Sequence, residues 1–293
     1  MSRLLIIDGH AYAYRAFHAI RELRGPDGRP TNAIYGFVKM LEKMRLGLAP
    51  DGIVVVWDGG LSAGRMTLLP AYKAQRPEMP TDLRPQLDGI QDFLAAAGIA
   101  SYCGEQIEAD DYIGCLALQA ASAGWKVVIA SSDKDFMQLV SAEIGLLNPN
   151  DKTGTIWTRE QVLAKAGVEP AQVADWLALM GDAVDNIPGV PGVGPKTAAQ
   201  LLQQFGSVTT LLERLDEVKS EKLRASLRQS VDIIRRNLQL VRLSEVPCEF
   251  VAAQVAEKTA DNERLRSLYA QWGFQGMLAA LGDGRREQQA ELI

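Results

Sequence analysis

Three uninterrupted aliphatic runs, each followed by aspartate, constrain this chain most: RLLII before Asp8, GIVVVW before Asp58, and KVVIASS before Asp133. Runs this apolar, with no polar alternation, mark strands covered on both faces. The sequence between them is helical in pattern: DGHAYAYRAFHAI, an amphipathic stretch from Thr31 to about Arg45, a helix at about 82 to 97, and IEADDYIGCLALQAASAG. IASYC is predicted as a further strand. Strands alternating with helices give an α/β fold, a mostly parallel sheet with helices on both faces. From about Thr158 onward only helical patterns follow, including DWLALMG, KTAAQLLQQFG and a long polar helix near 219 to 243. The tail after Glu257 is charged around one apolar helical core and is predicted to be loose at its end. A chain of 293 residues supports two unequal domains. The division expected is an α/β core over 1–165 and a helical region over 166–293.

In an open parallel sheet the carboxyl ends of the strands form the edge where ligands bind. Asp8, Asp58 and Asp133 fall on that edge. Glu108, Asp110 and Asp111 at a helix mouth, and Asp135 two residues beyond Asp133, join them, and Asp182 and Asp185 extend the set. A single aspartate often just caps a helix, but the set is too large for that. Two carboxylates about 4 Å apart repel by roughly 4 kcal/mol at an effective dielectric of 20, so such a crowd calls for cations. Only two histidines, His10 and His18, occur, which disfavours zinc and leaves a Ser-His-Asp triad little choice of base. Oxygen-only ligands select Mg²⁺, with Mn²⁺ able to substitute, and so many acids imply two or more ions. Paired ions are a device for in-line attack on a phosphodiester, so the chemistry expected is hydrolysis of a nucleic-acid backbone.

The net charge of −5 runs against a nucleic-acid partner until its distribution is considered. Setting the nine clustered acids apart from the 36 leaves the 31 basic residues in excess on the remaining surface. In AYKAQRP, Lys73 and Arg76 stand at helical i,i+3 spacing beside Tyr72. Such a pair is often only a solvated helix face; next to the acids it also suits a cationic wall for a phosphate, with an aromatic ring to stack a base. Arg15 could face the same edge.

GDAVDNIPGVPGVGPKTAAQLL, residues 181 to 202, holds Asp182 and Asp185 directly before a glycine- and proline-rich turn. The spacing from Gly189 to Gly194, followed by Lys196 and Thr197, imitates a phosphate-binding P-loop. Pro195 breaks the required Gly-Lys step, and a helix rather than a strand precedes it. A helix-hairpin-helix at 181–205 fits better. Gly189, Gly192 and Gly194 let a backbone approach, Pro195 opens the second helix, and its free N–H groups with Lys196 face an anion. This grips a duplex backbone without reading sequence.

These segments resemble the bacterial 5′ nucleases, the flap endonuclease and 5′→3′ exonuclease domain found at the N-terminus of DNA polymerase I. The likeness runs through DGHAYAYRAFHA, TNAIYGF, AYKAQRPEMP, EADDYIG, SSDKDFMQLV and LMGDAVDNIPGVPGVGPKTAAQLL. The resemblance implies that Asp58, Glu108 and Asp110 surround one metal and Asp110, Asp133, Asp135 and Asp182 the other, with Asp8, Asp111 and Asp185 supporting. It implies that Lys73 and Arg76 are the catalytic basic pair and that Arg15 contacts phosphate. It also places a gateway or arch near 60–85, where GGLSAGRMTLL departs from the family's usual run but keeps Arg65 as a DNA contact, and a K⁺ ion in the hairpin. The partners it implies are DNA with 5′ flaps, nicks or 5′ ends, and RNA–DNA hybrids, met by a monomer acting in replication and repair. Rival readings are a catalytically silent DNA-junction binder, which loss of acids would favour, and a small-molecule phosphatase, which lacks an Asp-x-Asp step after the first strand. The chain is either a free-standing nuclease or a domain of a longer protein.

No apolar stretch is long enough for a membrane span and no signal sequence follows Met1, so a cytoplasmic protein is expected. Cys103, Cys115 and Cys248 are widely spaced, with no C-x-x-C step, and read as ordinary reduced thiols rather than a disulfide frame or zinc site.

Overall fold

The computed structural model describes residues 1–151 and 153–290, with the side chains of 283–290 excepted. In chain order β1 (Arg3–Asp8) leads to α1 (Gly9–Ala19), α2 (Asn32–Leu48), β2 (Gly52–Trp57), α3 (Ala63–Leu68), α4 (Arg84–Ala97), β3 (Ala100–Cys103), α5 (Ala109–Ser122), β4 (Lys126–Ala130), β5 (Ile144–Leu147) and β6 (Ile156–Trp157). Then come α6 (Arg159–Ala166), α7 (Val173–Met180), two-residue strands β7 (Gly181–Asp182) and β8 (Ile187–Pro188), α8 (Pro195–Phe205), α9 (Val208–Glu213), α10 (Glu221–Gln229), α11 (Val231–Val241), α12 (Ala252–Val255), α13 (Asn262–Trp272) and α14 (Gln275–Ala290). The expected α/β class holds: parallel strands and helices come first, helices dominate afterwards. The end of the tail, 291–293, lies outside the described residues.

The chain forms two interleaved compact units, one of residues 1–57, 79–102 and 251–293, the other of 58–78 and 103–250. In the first, β1 and β2 run parallel in the register Leu4↔Gly52 to Asp8↔Val56. Every residue of β2 is buried, as its β-branched run requires. The core continues through Phe37, Leu41, Ile90 and Leu94. Residues 251–293 add Tyr269, Trp272 and Phe274, with Phe93 stacked on Tyr269 at 6.3 Å. A buried polar clamp also holds this unit: Gln86 accepts from the Ala33 N–H and donates to Asn32, whose own amide donates to the Phe17 and Ile20 carbonyls.

In the second unit β4 pairs parallel with β5, and β5 antiparallel with β6. Asn237 of α11 is fully buried and donates to the carbonyls of Ala178 in α7 and Pro188 in β8. This bond pair fixes the helical part to the small β7–β8 ladder. The single long helix expected near 219–243 is two helices, α10 and α11. Ser230 separates them at φ −105°, ψ 8°, outside helical geometry. β5 and β6, too short to show a period, are strands that the sequence reading passed over.

Candidate active site

Asp8 and Arg15 belong to the first unit. Asp8 closes β1 and caps α1, accepting the Ala11 N–H at 3.0 Å, and Arg15 is half-buried on α1. The other candidate residues lie in the second unit. Asp58 follows β2 directly and accepts the Ala109 N–H at 2.9 Å, so it caps α5. The loops 58–60 and 104–108 run backbone against backbone: the Gly59 N–H donates to Ile107 and the Gln106 N–H to Gly59. A Cβ on Gly59 would stand 1.6 Å from the Gly104 carbonyl oxygen, so only glycine permits this approach. It brings Asp58 to the mouth of α5, where Glu108, Asp110 and Asp111 stand.

β4 stops at Ala130, three residues short of Asp133, which corrects the expectation that this strand ends on its aspartate. Asp133 instead caps a 3₁₀ turn, Lys134–Leu139, accepting the Asp135 N–H at 2.8 Å. Across from it, Asp182 accepts the Val184 N–H within the β7–β8 turn. That turn is tied to the 71–73 backbone: the Lys73 N–H donates to Asp185 O and Asn186 donates to Ala71 O.

Lys73 is a hub. Its ammonium lies 2.6 Å from Glu108, 3.9 Å from Asp185 and 4.0 Å from Asp110. Arg76 pairs with Asp185 at 2.7 Å, and Lys134 with Asp182 at 2.8 Å. Burial alone would raise the Glu108 carboxyl, but Lys73, the Ser62 N–H and Arg65 together outweigh it and hold the group below its usual range. Burial and the surrounding carboxylates act in opposite senses on Lys73, and the carboxylates win, keeping it charged. Asp133 and Asp135 have no such partner strong enough. Burial, with like charge from Asp185 and Asp182, raises Asp133; burial, with Asp133 and Asp182, raises Asp135 well above the ordinary carboxylate range. Asp135 Oδ1 is buried and meets no hydrogen-bond donor. Among the described residues no three His, Cys, Asp or Glu side chains already stand as a closed metal cage.

Four expectations are corrected. Arg65, expected at a DNA contact, is buried instead, and its guanidinium is taken up by both Asp111 oxygens and the Leu240 and Arg242 carbonyls, to which it donates. Tyr72 offers no ring for a base, since it is buried with its hydroxyl on Glu108 at 3.1 Å. Lys73 and Arg76 are not on a helix but on successive turns, with Lys73 at φ 55°; Pro70 and Pro77 leave too little chain between them for one. Gly189 approaches its own chain, because a Cβ there would meet the Met180 carbonyl at 2.1 Å. The sequence reading missed Lys134, although its place between Asp133 and Asp135 was a signal. It also missed Gly59.

Gly192, Gly194, Lys196 and Thr197 lie in the turn before α8 and in its first turn. Gly192 sits at φ +81° with open space where a Cβ would be, and Gly194 likewise has open space. Gly194 starts α8 without a side-chain cap, Pro195 occupies its first turn, and Lys196 is exposed. An uncapped helix end beside open backbone suits an anion.

Residues 3–167 match the 5′-3′ exonuclease N-terminal resolvase-like domain, and residues 168–263 the 5′-3′ exonuclease C-terminal SAM fold. The chain is 37% identical over 294 residues to DNA polymerase I of Bacillus caldotenax, covering 99% of this chain and 33% of that protein. It thus spans about a third of that relative. It is 43% identical over 226 residues to a 5′-3′ exonuclease of Aquifex aeolicus, 77% of each chain. Among solved structures it is similar to the T5 5′-exonuclease described with bound zinc, at 25% identity and a TM-score of 0.68, covering 82% of this chain and 89% of that one. The matched domains, which together span nearly the whole chain, place it in the 5′-3′ exonuclease family.

Proposed function

We propose that this chain is a divalent-metal-dependent 5′ nuclease that hydrolyses DNA phosphodiesters at 5′ flaps, nicks and 5′ ends during replication and repair. The observation that carries this reading is Asp135 Oδ1, buried without a donor among the like charges of Asp133, Asp182 and Asp185. A carboxylate so placed is destabilised unless a cation joins it. The donors are all oxygen, which fits Mg²⁺ or Mn²⁺. The similar T5 enzyme is described with a divalent ion.

On this reading Asp58, Glu108 and Asp110 hold one ion, and Asp110, Asp133, Asp135 and Asp182 the other. Asp185 supports them, and Asp111 supports them through Arg65. Bound there, the ions would supply Lewis acidity and an activated water for in-line displacement. Lys73 and Arg76 stand among these acids, against Glu108 and Asp185, and their task is to hold and neutralise the scissile phosphate. Arg15 contacts a neighbouring phosphate. The open backbone at Gly192 and Gly194, the α8 N-terminus and Lys196 grip duplex phosphates, with K⁺ at the hairpin. Because β7 and β8 carry Asp182 and Asp185 directly before this grip, duplex binding sets where cleavage falls. Residues 1–165 serve as the catalytic body and 166–293 as the duplex-binding part, working as a cytoplasmic monomer with RNA–DNA hybrids as a further substrate.

The test is cleavage of end-labelled flap, nicked and blunt DNA in Mg²⁺ and in EDTA, with Asp110→Ala alongside. Expected are flap and nick products in Mg²⁺ alone, none with Asp110→Ala, and unimpaired duplex binding by that variant in Ca²⁺. Binding without cleavage by the native chain, or cleavage in EDTA, overturns the reading.

A further inference from the structure

Two of the three cysteines, far apart in sequence, meet in the second unit. Cys115 lies on α5, four residues after Asp111, and Cys248 lies on the segment that follows α11. The two thiols are near enough to act on one another. Gln119, one turn beyond Cys115, brackets the contact: its amide donates to Cys115 Sγ at 3.6 Å and to the Cys248 carbonyl at 2.8 Å, while its oxygen accepts the Phe250 N–H at 2.8 Å. Cys115 Sγ also reaches the Val246 carbonyl at 3.5 Å. Both thiols are half-buried, and Cys103 is exposed.

The segment holding Cys248 is a strap across α5. Its Ser244 N–H donates to Asp111 at 2.7 Å, and Phe250 packs edge-on against Trp125 at 5.3 Å. No helix or strand fixes residues 242–250, so the strap depends on these side-chain bonds and has the freedom to bring one sulfur onto the other.

We propose that Cys115 and Cys248 form a thiol–disulfide exchange site for low-molecular-weight disulfides, closing to a bond that locks the strap onto α5. The Cys115 thiolate attacks glutathione disulfide, forming a mixed disulfide and expelling one glutathione thiolate. The Cys248 thiolate then attacks the Cys115 sulfur and expels the second. The protein loses two electrons and two protons, and the glutathione disulfide takes them up as two glutathione thiols. Burial and the neighbouring Cys115 thiol push the Cys248 thiol up to about 12, so closure is slow at neutral pH and quickens as pH rises. A reducing cytosol keeps such a pair open, and oxidative conditions close it.

The test incubates the full chain carrying Cys103→Ser with oxidised glutathione at pH 7 and pH 9, quenches it in acid, and maps the peptides after cleavage at acidic residues. Expected is a Cys115–Cys248 cross-link that forms faster at pH 9, raises the melting midpoint by roughly 5 °C and is reversed by dithiothreitol. In the same background Cys248→Ser stops at a Cys115–glutathione adduct. Separate glutathione adducts on both residues, or two free thiols after full reaction of a small model thiol, overturn the proposal.

Discussion

Arg65 and Asp111 form a buried fork-to-fork ion pair, with Nη1 and Nη2 each 2.7 Å from one carboxylate oxygen. Arg65 also donates to the carbonyls at the end of α11, so one guanidinium ties α3, α5 and α11 together. A lysine could neither fill both Asp111 oxygens nor reach those carbonyls. Arg65→Lys should therefore cost about 3 kcal/mol, in the range for a broken buried pair. Urea unfolding measures it. A loss below about 0.5 kcal/mol, the size of an exposed pair, would show that the fork is not what holds these helices.

Asp133 and Asp135 should make the metal-free protein less stable at neutral pH. Burial and the neighbouring carboxylates, set against Lys134 alone, raise the pKa of Asp135 in the folded state. An acid raised in this way stabilises the fold below its unfolded pKa, and that contribution is lost as pH rises through the folded value. Glu108, held down by Lys73, behaves oppositely: its contribution is present above its unfolded pKa and lost as pH falls through the folded one. In EDTA, Asp135→Asn should melt several degrees above the native chain at pH 7.5 and show little difference near pH 4. Mg²⁺ should stabilise the native chain more than the variant. An equal effect of the substitution at both pH values would remove the like-charge account.

What the sequence revealed follows from how far apart the cooperating residues lie. β1 and β2 were legible because Leu4 to Ile7 and Gly52 to Trp57 are unbroken apolar runs, a local pattern with one structural meaning. Asp58 was legible as the residue that closes an apolar run, whereas Asp133 was placed on a strand end that stops three residues earlier, because Ser131 and Ser132 do not break the pattern. Arg65 was not, because its partners Asp111, Leu240 and Arg242 are remote in sequence and nothing local distinguishes a buried arginine from a DNA contact. Tyr72 was misread for the same reason. The break at Ser230 was hidden because its polar neighbours keep a helical pattern on both sides. Cys115 and Cys248 looked unrelated until α5 and the strap brought them together.

Gly59 should prove as sensitive as any acid. Its missing Cβ would overlap the Gly104 carbonyl, a backbone atom that cannot rotate away. Gly59→Ala must push the 104–108 loop aside, costing about 2–3 kcal/mol as overpacking does, and it moves Glu108 relative to Asp58. Thermal unfolding together with metal titration by calorimetry checks it: stability and divalent-ion affinity should fall together. Native affinity in a destabilised variant would separate the glycine from the site.

Lys196 tests the hairpin independently of the chemistry. It is exposed at the start of α8, beside an uncapped helix end and open glycine backbone. It pairs with no acid among the described residues, so its removal should leave stability within about 0.5 kcal/mol. If it neutralises one phosphate, Lys196→Ala weakens binding to every duplex alike and makes the slope of log affinity against log salt shallower by about one. Fluorescence anisotropy with two unrelated duplex sequences over a salt series reads both effects. A loss confined to one sequence would mean that the side chain reads bases. An unchanged slope would mean that the grip rests on backbone N–H groups alone, and either result would take Lys196 out of the phosphate contact.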